Sequence, residues 1–322
     1  MKAAIVRAIG EAPIYAEVAE PLVSPGEQRV TVTAAAVSHV TRSRASGTHY
    51  SASGEFPFVI GIDGVGRLDN GKRVYFVLPE PPNGGMAERT AVADRQCVPL
   101  PGDLDDATAA AIANPGVSSW AAFTERAKLK RGETVLINGA TGTAGRLAVQ
   151  IAKYLGAGKV IATGRNAGAL RSLAALGADV TIPLVDDADA LEESVRPHFA
   201  AGVDVVIDYL WGVSAERLLI AGAKAGADDV PIRFVEVGSA SSQTITLPSA
   251  VLRSSAIQMM GSGLGSVPPA RMLACITDLL KAAPKARLTV ATSIVPLSKI
   301  EAVWAQDDGG RRTVLVPDSV MA

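Results

Sequence analysis

The spacing of hydrophobic residues changes character near the middle of the chain. Up to about Pro115, short segments such as 29–34 and 73–77 lie between glycines and prolines. This pattern predicts a mostly β region with few and short helices. From about Glu133 onward, nearly continuous apolar runs alternate with Ala- and Leu-rich stretches. The second pattern predicts βαβ units around a parallel sheet whose strands are covered on both faces.

The pattern also predicts the individual elements of the second region. Strands are predicted at 134–137, 160–163, 203–207, 233–237 and 257–260. Helices are predicted at 144–155, 168–176 and 214–224, since a glycine follows each stretch where a helix should end. Beyond Gly265 the pattern predicts a helix at about 269–282, a strand, a helix at 298–305 and a last strand at 312–316. Periodicity leaves open whether this tail belongs to the first region or to the second.

Composition favours a protein that binds a small molecule. The 322 residues, 48% of them hydrophobic, suffice for two domains with separate cores. Lys and Arg number 31 against 32 Asp and Glu, so no net charge attracts the protein to nucleic acid or to an anionic membrane. No export signal or membrane span is evident, and Cys97 and Cys275 have no motif around them. We therefore expect a cytoplasmic protein with buried, unreactive thiols.

A glycine-rich turn at 137–150 joins a predicted strand to a predicted helix. Backbone N–H groups at a helix start bind anions, so the turn predicts a dinucleotide pyrophosphate site. Gly142 would let the phosphates approach the backbone, and Gly145 would let the helix pack against its strand. Ala140 stands at the first glycine of the usual fingerprint, and a simple tight turn is the alternative interpretation. The expected cofactor contacts are Gly139, Thr141, Gly142, Thr143, Ala144 and Gly145.

The turn after the next predicted strand distinguishes NADPH from NADH. An NAD site places Asp or Glu on the ribose 2′-hydroxyl about 20 residues past the glycines. This chain instead has Gly164, Arg165 and Asn166, and the planar guanidinium of Arg165 suits a 2′-phosphate. The alternative is an arginine that is only solvated on a loop. NADPH is therefore the predicted cofactor.

Further cofactor contacts follow from topology, because ligands bind beyond the carboxyl ends of parallel strands. Two later strand ends are predicted to approach the cofactor; their residues are Asp208, Tyr209 and Leu210, and then Val237, Gly238 and Ser239. Trp211 follows the first group. It either narrows the cleft, or covers the adenine side, or packs as a core aromatic, and sequence alone does not separate these roles.

Together these segments resemble the medium-chain dehydrogenase/reductase superfamily, in particular its zinc-free quinone oxidoreductase branch. The resemblance covers nearly the whole chain and depends on the order of the motifs at 61–66, 71–74, 84–88, 114–120, 139–145, 295–302 and 313–317. It implies an α/β protein with a GroES-like, mostly β catalytic domain (1–117 and 266–322) and a doubly wound Rossmann domain (118–265). It also implies that Asn114 contacts the cofactor and that two chains form a homodimer through the last Rossmann strand, near 257–263.

The chain departs from zinc-dependent relatives at the metal site. Those relatives have Gly-His-Glu where this chain has Gly61, Ile62 and Asp63, and a ligating cysteine near Ser38. A catalytic zinc needs about three N, S or O ligands from the protein, so we expect no metal. Hydride transfer from NADPH to an acceptor that is already electrophilic then depends on proximity and orientation.

The catalytic candidates lie in the first region. Relatives place a polar residue near Ser38 and a tyrosine near Tyr50 around the nicotinamide and substrate. Tyr50 either hydrogen-bonds or protonates the substrate, or lies at a loop rim. His39 and His49 are candidate acids at neutral pH, or simply exposed. Asp63 either orients cofactor or substrate, or forms a turn or local backbone cap.

Three functions remain open. The first is zinc-independent reduction of a quinone by NADPH. The second is NADPH-dependent reduction of a double bond in an enone, an alkenal or an enoyl thioester. The third is a redox sensor or structural protein that binds NADPH with little turnover and lacks an acceptor pocket.

Overall fold

The computed structural model describes residues 1–48, 55–306 and 310–321. The chain divides into two compact units, one formed by 1–114 with 276–322 and the other by 115–275. The predicted domain boundaries were 117/118 and 265/266. Both observed divisions fall inside helices.

The N-terminal part of the first unit consists mainly of short strands. Its elements are β1 (Lys2–Val6), β2 (Ile14–Glu17), β3 (Glu27–Ala36), α1 (His39–Ala45), β4 (Phe58–Val59), β5 (Asp63–Leu68), β6 (Arg73–Val77), β7 (Arg89–Ala93), β8 (Cys97–Pro99) and α2 (Asp106–Ala121), the last of which runs into the second unit. β1 pairs antiparallel with β2 and β4. β3 pairs antiparallel with β5 and β7, and β6 lies between β5 and β8. Alternate residues of β3, Val30 and Val32, pack into a core with Phe76.

The second unit is built around a parallel sheet. Its elements are β9 (Thr134–Asn138), α3 (Thr143–Leu155), β10 (Lys159–Gly164), α4 (Ala167–Ser172), β11 (Val180–Pro183), α5 (Ala188–Ala200), β12 (Val205–Asp208), α6 (Gly212–Ala225), β13 (Ile232–Glu236), α7 (Ser249–Arg253), β14 (Ile257–Gly261) and the start of α8 (Pro269–Ala286). The strand order is β11-β10-β9-β12-β13-β14. Numbered within this unit, the order is 3-2-1-4-5-6, the doubly wound arrangement, which confirms the predicted fold class. Val206 and Phe234 on its strands pack against Leu218 of α6 and Phe199 of α5.

The C-terminal tail returns to the sheet of the first unit. After α8 come β15 (Thr292–Pro296), α9 (Ile300–Trp304), β16 (Arg312–Val316) and α10 (Asp318–Met321). β16 pairs parallel with β15 and antiparallel with β3. The strand pairing therefore assigns the tail to the first unit, a question that periodicity left open. None of the described helices is long and apolar enough to cross a membrane.

Helix α2 contradicts the prediction that helices before Pro115 are short. It runs unbroken through Pro115, although an interior proline removes a backbone hydrogen bond and costs about 3 kcal/mol. Ile112, Ala113 and most neighbouring residues of the helix are almost fully buried. Burial of these side chains offsets the cost of the proline, which is why the local signal was misleading.

The prediction also omits β11 and α5. β11 has four residues and, in the described part of the chain, pairs only with β10. Such a short strand offers too few positions for a period to be visible. α5 begins at the capping carboxylate of Asp187 and contains Pro197 near its end, which weakens its helical signal.

Candidate functional site

A glycine-rich loop connects β9 to α3 at the carboxyl edge of the parallel sheet. Gly139 has a φ of +84°, a conformation that favours glycine. A Cβ on Gly139 would also lie only 2.8 Å from the Cγ of Leu210. Gly145 lies in the first turn of α3, where a Cβ would meet the Cα of Ala140 at 2.5 Å. The helix start therefore packs on the loop more closely than a larger residue would allow.

The N-terminus of α3 is open. Gly142 is the N-cap, so no side chain caps the helix, and a Cβ on Gly142 would meet no atom of the described chain within 4 Å. The first N–H groups of a helix have no partner within it, and the helix dipole adds partial positive charge there. This geometry fits an anion such as a phosphate.

The turn after β10 presents one unengaged cationic side chain. Gly164 lies under Thr141, whose Cγ2 would be 2.3 Å from a Cβ on that glycine. Asn166 caps α4, and its side-chain oxygen accepts a hydrogen bond from the N–H of Ala169 at 2.9 Å. Arg165 is exposed and has no hydrogen bond or ion pair within the described residues. The guanidinium of Arg165 is therefore available to a ligand, whereas the side-chain oxygen of Asn166 is already engaged as the cap of α4.

A buried hydrogen-bonded network lies beneath these loops. Asn138, at the end of β9, accepts from the hydroxyl of Thr163 at 2.7 Å and donates to Asp208 Oδ1 at 2.8 Å. Asp208 also accepts from the N–H groups of Leu210 at 3.0 Å and Trp211 at 3.1 Å. Burial raises the pKa of Asp208 to about 6, although these donors favour its charged form.

Tyr209 is anchored by both its backbone and its side chain. Its N–H donates to the carbonyl of Asn138 at 3.1 Å, and its hydroxyl lies 2.7 Å from Ser119 Oγ. Burial raises the pKa of Tyr209 to about 12, so the phenol stays protonated at neutral pH. The N–H groups of Val237 and Gly238 both donate to the carbonyl of Asp208, which joins the next loop to this one.

Trp211 lies between the core and an open groove of about 480 Å³. Its ring meets Phe234 edge-on, with centroids 6.4 Å apart. Glu236, Ser239 and Met259 also line this groove. Burial raises the pKa of Glu236. The ring therefore packs against a core aromatic, which is one of the roles that the sequence left open, and it also forms part of a groove wall.

The catalytic candidates of the first unit are placed as follows. Ser38 is buried and is the N-cap of α1, accepting from the N–H of Thr41 at 2.9 Å. His39 is exposed in the first turn of that helix. Tyr50 and His49 lie outside the described residues. Asn114 lies half-buried within α2.

Asp63 begins strand β5, so the interpretation as a turn or backbone cap was wrong. Its carboxylate is 1% exposed and accepts from the hydroxyl of Tyr75 at 2.6 Å. Burial raises the pKa of Asp63 to about 6, against the opposing effects of that hydrogen bond and of the positive charge on Arg312. The second carboxylate oxygen has no hydrogen-bond partner within the described chain.

The side chains at the positions of the zinc ligands do not suit zinc. The Ser38 hydroxyl caps a helix, the Ile62 side chain has no atom that can bind a metal, and one oxygen of the Asp63 carboxylate is engaged by Tyr75. Within the described residues, no three His, Cys, Asp or Glu side chains are grouped to hold a metal. Cys97 carries a pKa raised to about 11 by burial and by Asp94, which disfavours the thiolate that a metal needs.

Sequence reasoning missed the residues that hold the loops together. They are Asn138, Thr163, Ser119 and Ser214, the last of which accepts from Asn138 at 2.9 Å. A usable signal existed, because Asn138 and Asp208 are polar residues at the ends of otherwise apolar strands. A polar side chain at such a position must find a hydrogen-bond partner when the strand is buried.

Comparison with known proteins agrees with this geometry. A family model described as zinc-binding dehydrogenase matches residues 144–282. A probable NADPH-dependent quinone reductase, tdiC, of Emericella nidulans is 29% identical over 95% of this chain and 96% of its own length. The quinone oxidoreductase of Lama guanicoe is 29% identical over 68% of this chain and 71% of its own. A solved structure of a probable oxidoreductase from Mycobacterium abscessus is 29% identical, covers 98% of this chain and 99% of its own, and has a TM-score of 0.73.

The strand order, the glycine loop and the open start of α3 define a protein of the dinucleotide-binding dehydrogenase class. The family model and these relatives support the medium-chain dehydrogenase/reductase superfamily for this chain, in its quinone oxidoreductase branch. The resemblance inferred from the motifs is thereby confirmed.

Proposed function

We propose that this protein is an NADPH-dependent oxidoreductase that reduces a quinone without a metal. The observation that carries the proposal is the pairing of an open helix start at α3 with the exposed, unengaged guanidinium of Arg165 on the neighbouring strand end. The likeness to tdiC, named a probable NADPH-dependent quinone reductase, supports the same cofactor and acceptor.

Three parts of the cofactor have proposed partners in the second unit. The N–H groups at Gly142 and Thr143 would hold the pyrophosphate, and Arg165 would bind the 2′-phosphate through its planar fork. The loop that begins at Val237 would approach the nicotinamide, because it leaves the carboxyl end of β13. When bound, NADPH supplies the hydride. The protein must orient the acceptor and exclude water, since in this proposal no metal polarises the acceptor.

The proposed acceptor contacts lie in the first unit. They are Ser38, His39, Tyr50 and Asp63. Asp63 has a pKa of about 6 and so remains partly protonated near neutral pH, where a carboxyl can donate or accept a hydrogen bond. Tyr75 already donates to it, which fixes its orientation.

The cofactor assignment is tested by replacing Arg165 with Ala. Loss of a charge-assisted hydrogen bond to the 2′-phosphate should raise the Kd for NADPH by about 10-fold or more, because such bonds contribute about 1.5–3 kcal/mol. The Kd for NADH should not change. Arg171→Ala is the matched control, since Arg171 is also exposed and lies in the last turn of α4. Equal losses for both cofactors would refute the assignment.

The acceptor is tested by following NADPH consumption with chelator present against matched quinones and conjugated enones. Fast turnover of quinones with little turnover of enones is the expected result. The reverse would identify a double-bond reductase. Tight NADPH binding without turnover of either class would identify a sensor or structural protein.

We further propose that the protein acts as a homodimer in the cytoplasm. β14 lies at one end of the parallel sheet in the described chain, and Gln258 and Met259 on it are exposed. An unpaired strand edge of this kind favours pairing with a second copy. Cys97 and Cys275 form no disulfide within the described residues, as expected in a reducing compartment. Sedimentation equilibrium measures the dimer directly, and a monomer at micromolar concentration would contradict it.

A further inference from the structure

Three adjacent strands of the second unit are joined by buried polar side chains just below the proposed cofactor loops. Asn138, Thr163 and Asp208 lie at or near the carboxyl ends of β9, β10 and β12, and each is 0% exposed. The hydroxyl of Thr163 donates to Asn138, and the amide of Asn138 donates to Asp208. The chain of hydrogen bonds therefore crosses the sheet at its topological switch point, between β9 and β12.

The same three residues also hold the loops above them. Thr163 accepts from the N–H of Gly139 through its hydroxyl, at 3.1 Å, and from the N–H of Ala140 through its carbonyl, at 2.8 Å. Asp208 accepts from Leu210 through its carboxylate, and from Val237 through its carbonyl at 2.8 Å. The loop that we propose to bind the pyrophosphate thus starts from one member of this network, and the loop that we propose to approach the nicotinamide is hydrogen-bonded to another.

The backbone of Trp211 shows how strongly the network constrains its loop. Trp211 has φ 59° and ψ −163°, a combination that almost only glycine adopts. Its N–H donates to the carboxylate of Asp208 at 3.1 Å. A residue stays in such a conformation only where its surroundings determine it, and strained residues of this kind cluster at functional sites.

We propose that Asn138, Thr163 and Asp208 form a positioning network for the cofactor, in which Asp208 is the charged acceptor that holds the loops in their binding geometry. This proposal rests on the proposed function, because it requires that the loops bind NADPH. None of the three needs to touch the cofactor. Their contribution is to hold the backbone N–H groups before NADPH arrives, so that less order is lost on binding.

Replacing Asp208 by Asn tests the network because Asn has one acceptor oxygen instead of two. Whichever way its amide is oriented, its NH₂ group faces an N–H donor, either that of Trp211 or those of Leu210 and Asn138. We expect the Kd of folded protein for NADPH to rise by about 10-fold, the range for lost bonds to a charged group. The double variant Asn138→Asp with Asp208→Asn restores one donor and one acceptor across this pair. It should recover only part of the lost affinity, because the NH₂ group at position 208 that donates across the pair still faces the N–H of Leu210.

Asp204→Asn is the matched control. Asp204 precedes β12 at the opposite end of the strand, where its carboxylate accepts from the N–H of Thr134 at 2.8 Å. The Asp204→Asn substitution should lower the thermal midpoint of unfolding without changing the Kd for NADPH. If Asp208→Asn does not fold, Thr163→Val removes one hydroxyl of the network and Thr163→Ser keeps it. Valine should weaken NADPH binding, and serine should not.

The experiment measures the Kd for NADPH by fluorescence titration of each full-length variant, with the folded fraction checked by circular dichroism. Weaker binding in Asp208→Asn or Thr163→Val, with partial recovery in the swapped pair and no effect of Asp204→Asn, supports the positioning role. A lower thermal midpoint with wild-type Kd in the network variants would overturn it and leave a purely structural role. Failure of the wild-type protein itself to bind NADPH would instead refute the proposed function.

Discussion

Gly145 and Gly142 lie three residues apart in the same loop, yet the structure gives them opposite roles. A Cβ on Gly145 would stand 2.5 Å from the Cα of Ala140 and from the carbonyl oxygen of Gly139, whereas ordinary contacts begin near 3.4 Å. Both neighbours are backbone atoms, so no side-chain rotation relieves the overlap. Overpacking costs up to about 3 kcal/mol, and the better helix propensity of alanine returns about 1 kcal/mol. Gly145→Ala should therefore destabilise the protein by about 2 kcal/mol.

Gly142→Ala should behave differently because a Cβ there meets nothing within 4 Å and its φ of −77° suits alanine. Its effect on stability should stay below about 1 kcal/mol, the usual range for a changed N-cap. The new methyl group would stand where we propose that the pyrophosphate lies. The Kd for NADPH should therefore rise by about 10-fold or more, since a phosphate that loses its N–H partners loses charge-assisted hydrogen bonds.

The assay measures thermal midpoints without cofactor and Kd values for NADPH in parallel. A loss of 2 kcal/mol corresponds to a midpoint lower by roughly 4–8 °C for a unit of this size. Gly145→Ala should show that shift, and Gly142→Ala should show mainly the weaker binding. A wild-type midpoint for Gly145→Ala would refute the packing argument, and wild-type NADPH affinity for Gly142→Ala would refute the phosphate site.

Three further predictions concern the first unit. Asp63 has a folded pKa of about 6 against an ordinary 3.8, so its contribution to stability is full below pH 4 and is lost as the pH rises through 6. Urea unfolding measures the free energy of unfolding of Asp63→Asn and of the wild type at each pH. The stability of the variant relative to the wild type should increase by about 3 kcal/mol between pH 4 and pH 7.5. A stability difference that does not change with pH would contradict this prediction. Arg73→Lys should lower the free energy of unfolding by about 1–2 kcal/mol in the same assay, because a lysine cannot reproduce the two hydrogen bonds that the guanidinium donates to Asp106. An unchanged stability would show that these two bonds contribute nothing. Cys97, whose pKa is about 11 rather than 9.0, should be alkylated about 100-fold more slowly than an ordinary thiol near neutral pH, and rapid labelling of the folded protein would contradict the burial.

The local sequence pattern predicted an element correctly where the residues of that short segment determine its structure. The strands at 134–137 and 160–163 were predicted within two residues of their observed bounds, because buried parallel strands are apolar on both faces. The helix after Gly142 begins one residue earlier than predicted and ends at the same residue, since Gly156 adopts the left-handed conformation that terminates helices. Spacing assigned Gly145 a role in packing the helix against its strand, and the structure shows it packed on the adjoining loop residues Gly139 and Ala140.

Local pattern failed where the determining interaction is distant in sequence. Helix α2 passes through Pro115 because its faces are buried, and β11 exists because it pairs with β10. The network beneath the loops links residues 25 and 70 positions apart, so no window of sequence contains it. Trp211 occupies a backbone conformation reserved for glycine, which no propensity would assign to tryptophan.

The sequence by itself determined the parallel-sheet unit and the glycine loop, because each depends on the period of the chain or on the backbone freedom of single residues. It also predicted a role for Arg165 in binding NADPH. Only the tertiary structure decided that the tail joins the sheet of the first unit through β16 and β3. Only it revealed that Asp63 and Asp208 are buried acids with raised pKa values. The physical reason is that strand pairing and desolvation depend on which distant segments are brought together, and that information is spread over the whole chain.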